Sequence, residues 1–430
     1  MTQKKPIYRD LSFQVVVGMA LGVLVGHLFP QYGPSIRPIG DAFIRLIHMI
    51  VGPIIFCSVV AGIAGVGDLK KVGRVAIVAL IYFEVVTSIA LVIGLVSINF
   101  FQPGVGMNVD VSTLKTDEAA AYISTAREFV SMTEFLINII PRTFVSGFAE
   151  GDVLQILFTS VVFGFGLAAA GERARPVVEV IDSFSTGIFW IIRVIMKLSP
   201  IAAFGAIGFT VSRFGLTSLT SLGKLILEFY FTCVVFVLAV LWPIARYSGF
   251  SLFKLMRYIR EELLLVLGTS SSESVFPQLL SKLERLGVQR SVVGLVLPAG
   301  YSFNDDGTCL YHASVTVFLA QATNTALGWE QQLGLLLVLL ITSKGGAGVA
   351  GSALAVLAAT LAATNTIPVA AMALVIGIHR LLSSVFVFIN ILGNSVATVV
   401  VAAWENALDR QTMLAELDRG YVPQDAAEVI

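Results

Sequence analysis

Long apolar runs separated by short polar loops dominate the chain. The runs 11–29, 41–65, 75–101, 130–149, 152–170, 183–210, 222–244, 289–320 and 366–404 match or exceed the about 20 residues that a helix needs to cross roughly 30 Å of hydrocarbon. The second half breaks this pattern. Residues 261–268 lead into the polar TSSSES of 269–274, and 333–341 lead into TSKGGAGVAGS at 342–352 before a further apolar stretch at 353–363. Each arm holds about 10–12 residues, or roughly 15–18 Å at helical rise, which is too short to span. Two re-entrant hairpins with polar or glycine-rich tips are therefore expected. FNDDGT at 303–308 interrupts 289–320 in the same way. Irregular backbone at membrane depth is tolerated only where it is buried in protein or lines a watery cavity. The order hairpin, broken helix, hairpin, helix thus places a solute site where the two tips meet the break, as in transporters built from inverted repeats.

Composition agrees with lipid as the main solvent. Of 430 residues, 56% are hydrophobic and 13% charged, against roughly a quarter charged in a soluble domain. Net charge is zero, and no basic patch interleaved with aromatics marks a nucleic-acid partner. Cys57, Cys233 and Cys309 lie in apolar stretches without metal-ligand spacing and read as buried fillers. The basic start leads into 11–29 with no small-residue cleavage site, so a first membrane helix is expected rather than a signal peptide. Lys4, Lys5, Arg9, Lys70, Lys71, Arg74, Arg173, Arg175, Arg246, Lys254, Arg257 and Arg260 mark cytoplasmic loops, whereas the acidic 102–126 loop reads as external. Both termini then face the cytoplasm. No GxSxG or HExxH motif is present and His27, His48, His312 and His379 are the only histidines, so an enzyme is not expected.

The segments YFEVVTS (82–88), QPGVGMN (102–108), GTSSSES (268–274), SVVGLVLPAGYSFN (291–304), DGT (306–308), AQATN (320–324), TSKGGAGVAGS (342–352) and GN (393–394) resemble the dicarboxylate/amino acid:cation symporter family, which includes the glutamate transporters, and within it the bacterial C4-dicarboxylate branch. The resemblance covers about 400 residues. It implies an all-α polytopic membrane protein with eight transmembrane segments, two re-entrant helical hairpins and inverted repeats, assembled as a homotrimer in a bacterial inner membrane. It further implies a scaffold formed by 1–74 and 102–220, a mobile elevator-type transport domain formed by 75–101 and 221–408, and a cytoplasmic tail at 409–430. The implied activity is symport of a small carboxylate with Na+ or H+, with no other cofactor. A neutral amino acid or monocarboxylate symporter is the alternative, and a channel or sensor with weak transport is another.

Several residues carry the site chemistry. Asp306, beside Asn304, Gly307 and Thr308, offers hard oxygen ligands where a buried carboxylate is costly unless it is paired or binds an ion. By resemblance, Asn304 and Asp306 with Thr87 and Ser88 form a sodium site, which Ser343 and Asn394 extend. Ser270, Ser271 and Ser272 are either a hydrophilic turn or hydroxyls aimed at a solute carboxylate. Likewise, Gly348, Val349, Ala350 and Gly351 are a close-packed turn or, by resemblance, a thin gate over the solute. Asn390 and Asn394 share a helix face, Asn390 being the stronger candidate for contact with the solute. Thr308 completes this set. The departures are sharper than the matches. His379 stands where the family usually has aspartate, Phe386 where acidic-solute members have an arginine that clamps a carboxylate, and Ser383 where amino acid members have an aspartate. Asp305 adds a second carboxylate beside Asp306, leaving room for a proton that His379 could share. Glu84 replaces an aromatic and is, with His379, a candidate proton site.

Overall fold

A computed structural model describes residues 11–64, 69–110, 137–214, 222–342, 352–364 and 367–419. Among these the chain is helical, apart from one isolated bridge between Val288 and Leu408. The first half supplies α1 (Leu11–Leu28), α2 (Gly33–Ala64), α3 (Leu69–Phe101), α4 (Val153–Ala170), α5 (Arg175–Met196) and α6 (Ser199–Phe214). The second supplies α7 (Gly223–Tyr247), whose middle widens into a π-turn over Val237–Leu241. Then follow α8 (Arg260–Thr269), α9 (Phe276–Arg285), α10 (Arg290–Phe303), α11 (Asp306–Ala322), α12 (Trp329–Thr342), α13 (Ser352–Thr364), α14 (Ala373–Trp404) and α15 (Arg410–Arg419).

Four described stretches are long and apolar enough to cross a bilayer, namely Val72–Phe101, Leu154–Ile192, Gly223–Tyr247 and Ile378–Trp404. Phe13–Leu28 with Pro30–Phe43 makes a fifth if this pair, bent by 112°, counts as one span. Two expected runs are interrupted. Of 130–149, the described part turns at Pro141 and is α-helical again only over Ser146–Glu150. The run 183–210 splits between Met196 and Ser199, with Pro200 in the first turn of α6. In both places a proline supplies no N–H, so it cannot continue the hydrogen-bond ladder of a preceding helix, and at Pro200 it sits in the first turn of the new one.

Small residues set how closely α1 and α6 approach. A Cβ on Gly18 or Gly26 would collide with the carbonyl of Pro200 or Gly208, and one on Gly22 would lie 2.7 Å from the carbonyl of Phe204. Backbone-to-backbone approach of this kind is how helices associate in lipid, where no hydrophobic force drives them together. The opposite side of α1 exposes Phe13, Val16, Val17, Leu21 and Leu24.

The hairpin α8–α9 is stapled at its base. Lys282 Nζ lies 3.1 Å from Glu261 Oε2 and 2.9 Å from Glu262 Oε2, while the Tyr258 hydroxyl donates to the Lys282 carbonyl at 3.1 Å. Helices α12 and α13 pack on each other in turn, and the residues joining them lie outside the described ones. Helix α14 runs through the centre of this half: 89% of its most apolar window is buried, against 39% for α3. It packs on α8, α10 and α11, so every segment with a candidate site residue in the second half, except α12 and α13, meets it directly.

Candidate functional site

The break between α10 and α11 comes from two residues that leave helical geometry, Asn304 (φ −109°, ψ 67°) and Asp305 (φ −95°, ψ 49°). Breaking the helix frees backbone groups that need partners. Asn390 of α14 supplies them: its Oδ1 accepts from the Gly307 N–H at 2.7 Å and the Thr308 N–H at 3.3 Å. Its Nδ2 donates to Thr308 Oγ1 at 2.9 Å and Asp305 Oδ1 at 3.3 Å. Asn390 thus caps α11 from the neighbouring helix and ties Asp305 and Thr308 to the same spot.

Asn304 and Asp306 are fully buried, and Asn304 Nδ2 donates to Asp306 Oδ2 at 3.2 Å. Glycines bring α14 against them. A Cβ on Gly393 would fall on Asp306 Oδ2, and one on Gly300 would fall on Asn394 Oδ1. Asn304 Oδ1 and Asn394 Oδ1 are buried and, among the described residues, have no hydrogen-bond partner. The buried Tyr82 hydroxyl of α3 is likewise without a hydrogen-bond partner among the described residues. A buried carboxylate with unpartnered amide oxygens around it is a donor set for a small hard cation. Thr87 is fully buried one turn beyond Phe83, to whose carbonyl its hydroxyl donates at 2.7 Å. Ser88 is half-buried, and Glu84 stands on the exposed side of α3.

The tip of α8 lies on the other side of α14. Ser270 ends α8 in the left-handed conformation (φ 51°), and its hydroxyl meets that of Ser384 at 2.7 Å. Ser271 Oγ donates to Glu273 Oε2 at 2.7 Å, and the Ser272 carbonyl accepts from the Tyr301 hydroxyl at 2.8 Å. Arg380 reaches the same tip, donating from Nη2 to the Thr269 carbonyl at 2.5 Å. Ser383 turns inward and donates to the Arg380 carbonyl at 2.9 Å.

Phe386 is buried in an aromatic cluster. Its ring centroid lies 5.1 Å from that of Tyr311 and 6.0 Å from that of His379. His379 Nδ1 is 3.0 Å from the Tyr311 hydroxyl, so its hydrogen-bond partner is this tyrosine, while Asp305 pairs with Asn390. A Cβ on Gly307 would strike the Phe386 carbonyl, which places the aromatic cluster against the first turn of α11. Ser343, Gly348, Val349, Ala350 and Gly351 lie outside the described residues. Tyr82, Tyr311, Gly300 and Gly393 were not among the residues the sequence singled out; their only signals are the tyrosine inside YFEVVTS, the tyrosine beyond DGT, and the glycines in LPAGYS and GN.

Residues 11–404 match the sodium:dicarboxylate symporter family. The chain is 54% identical to the C4-dicarboxylate transport protein of Pseudomonas syringae pathovar tomato, over 98% of this chain and 91% of that protein. It is 53% identical to the C4-dicarboxylate transport protein of Pseudomonas chlororaphis, over 98% of this chain and 94% of that one. With C4-dicarboxylate transport protein 1 of Polaromonas naphthalenivorans it shares 52%, over 97% and 92%. The helical, apolar fold with a broken helix facing a buried oxygen cluster is that of a multi-pass membrane transporter. The chain belongs to the sodium:dicarboxylate symporter family.

Proposed function

We propose that this protein is a secondary active symporter that couples inward movement of Na+ or H+ to uptake of a small, C4-dicarboxylate-like carboxylate. The observation that carries the coupling is the buried Asp306 carboxylate at a helix break with the Asn304 amide on it and the Asn394 amide oxygen unpartnered on the helix that glycine contacts bring against it. The solute class rests on the relatives' names and on the serine tip beside Arg380. In this reading the two hairpins are re-entrant, α3 and the second half move as an elevator against a scaffold of the remaining helices, and three copies assemble in a bacterial inner membrane with both termini cytoplasmic. Uptake into proteoliposomes tests it: succinate accumulates under an inward sodium or proton gradient. Accumulation unchanged after both gradients are collapsed refutes coupling.

The Phe386–Tyr311–His379 cluster favours a second reading, a monocarboxylate or neutral amino acid as solute. An aromatic wall offers no charge to a second carboxylate, and losing that charge-assisted contact costs roughly 1.5–3 kcal/mol, or about tenfold to a hundredfold in affinity. Binding of succinate, fumarate, malate, aspartate, serine and alanine to wild type and Phe386→Arg separates the two. Under the second reading Phe386→Arg improves succinate binding by at least tenfold. Tight wild-type succinate binding that Phe386→Arg does not improve excludes it.

A further inference from the structure

A second buried polar cluster lies away from the helix break, between α3, α7 and α11. Glu228 of α7 is 3% exposed. Its Oε1 accepts from Thr232 Oγ1 at 2.9 Å, one turn on in the same helix, and Thr232 in turn shares a short hydrogen bond with Ser97 of α3. Glu228 Oε2 is buried and, among the described residues, has no hydrogen-bond partner. Ser97 of α3 and Ser314 of α11 both stand close to this carboxyl, and the Ser314 hydroxyl is buried and, among the described residues, without a hydrogen-bond partner. Two orphaned oxygens, one on a carboxyl and one on a hydroxyl, therefore lie in one buried cluster with Ser97 and Thr232.

A bare carboxylate cannot stay there uncompensated, since burial of an unpaired charge costs far more than a hydroxyl bond returns. Among the described residues, no basic side chain pairs with it. The titratable neighbour on α7 is the Cys233 thiol; α3 presents Ser97, α11 presents Ser314, and α14 meets α7 through Tyr230, whose hydroxyl donates to the Leu381 carbonyl at 3.3 Å. His379 and Arg380 of α14 sit beside that contact and are engaged with Tyr311 and Thr269. A metal cation is also a poor guest, because two unused oxygens fall well short of the about six that a hard cation collects. A single proton removes the charge: on Oε2 it converts the carboxylate into an O–H donor for which the Ser314 hydroxyl is a nearby acceptor, while Oε1 keeps the Thr232 bond.

We infer that Glu228 is a proton-binding site in the transporting half of the molecule, distinct from the oxygen cluster at Asp306, and that the proton it carries is a coupling ion. The step is a simple one: a proton from water binds Glu228 Oε2 and later returns to water, with no other bond made or broken. The path is short, since Glu228 lies five residues inside the start of α7 at Gly223, about 8 Å at helical rise. The coupling half of the inference rests on the transport reading; the proton site itself does not.

Infrared difference spectroscopy on the full-length protein in lipid tests the site without any solute. Wild type shows a protonated-carboxyl C=O band that disappears on titration to alkaline pH; Glu228→Gln, which keeps the shape of the neutral acid, lacks it, and Ser314→Ala shifts its frequency by removing the acceptor. A difference spectrum that Glu228→Gln leaves unchanged overturns the site. In proteoliposomes, Glu228→Gln loses uptake driven by a pH gradient alone while solute exchange across a symmetric membrane persists. Full pH-driven uptake by Glu228→Gln overturns the coupling. If wild type takes up no solute at all, the transport reading has failed, and the infrared band still decides the proton site.

Discussion

At the scale of single residues, the proposed cation cluster depends on the Asp306 charge and on the absence of one carbon at position 393. Asp306→Asn keeps the shape and the Asn304 contact but removes the charge. Replacing a charge-assisted contact by a neutral one costs about 1 kcal/mol or more, so the concentration of coupling ion needed for half-maximal uptake rises about fivefold or more. Wild-type ion dependence in Asp306→Asn removes Asp306 from the site. Gly393→Ala is the sharper case. In an ordinary helix this change stabilises by about 1 kcal/mol. Here the new Cβ lands on Asp306 Oδ2. The expected result is a protein that purifies and melts like wild type yet loses ion-dependent uptake; unaltered uptake contradicts the contact. Asp306, Asn390 and Asn394 were legible in the sequence because polar groups inside apolar runs stand out against lipid-facing neighbours, and Asn304 through the family resemblance. Gly393, Gly300 and Tyr82 were not, because their roles lie in what comes close to them across the fold, and nothing local records that.

At the scale of elements, the hairpin α8–α9 is held by Lys282 between Glu261 and Glu262. Lys282 and Glu262 are both nearly inaccessible, so the pair is not screened as a surface pair is. Removing one partner of a buried pair strands the other charge, which costs about 3–5 kcal/mol, whereas removing the whole cluster in favour of apolar residues is far milder. Lys282→Met is therefore expected to lower the thermal midpoint markedly, and the triple change of Lys282 to Met with Glu261 and Glu262 to Leu to recover most of it. A triple variant no more stable than Lys282→Met refutes the pairing. The short arms of this hairpin were readable from run length alone, since about ten residues cannot span. The interruptions near Pro141 and Pro200 were not, because averaged hydropathy counts proline as neutral and ignores its missing N–H.

At the scale of the whole molecule, Arg290 at the start of α10 reaches across to Asp182 of α5, Nη1 to Oδ1 at 2.6 Å. In the elevator reading this pair joins the two parts that move past each other. Both side chains are substantially exposed, 34% and 47%, so the pair contributes no more than about 1 kcal/mol, about a fivefold shift between conformations. Asp182→Asn is expected to change uptake rate by no more than that factor, with the difference from wild type vanishing at high ionic strength as the charges are screened. A salt-independent or much larger effect shows that Asp182 acts in another way. The seam between α1 and α6 has a consequence of a different kind. Gly18, Gly22 and Gly26 recur every four residues and meet Pro200, Phe204 and Gly208 at the same interval. A slide of one helical turn would bring most of these small surfaces back into contact, so the seam holds the two helices together without choosing their alignment. That choice falls to the corner after Leu28, where the chain bends by 112° into Pro30–Phe43 and Gly33 abuts the Ser212 side chain of α6. The corner acts as an end-stop: the glycines make the joint close, and the bend makes it unique.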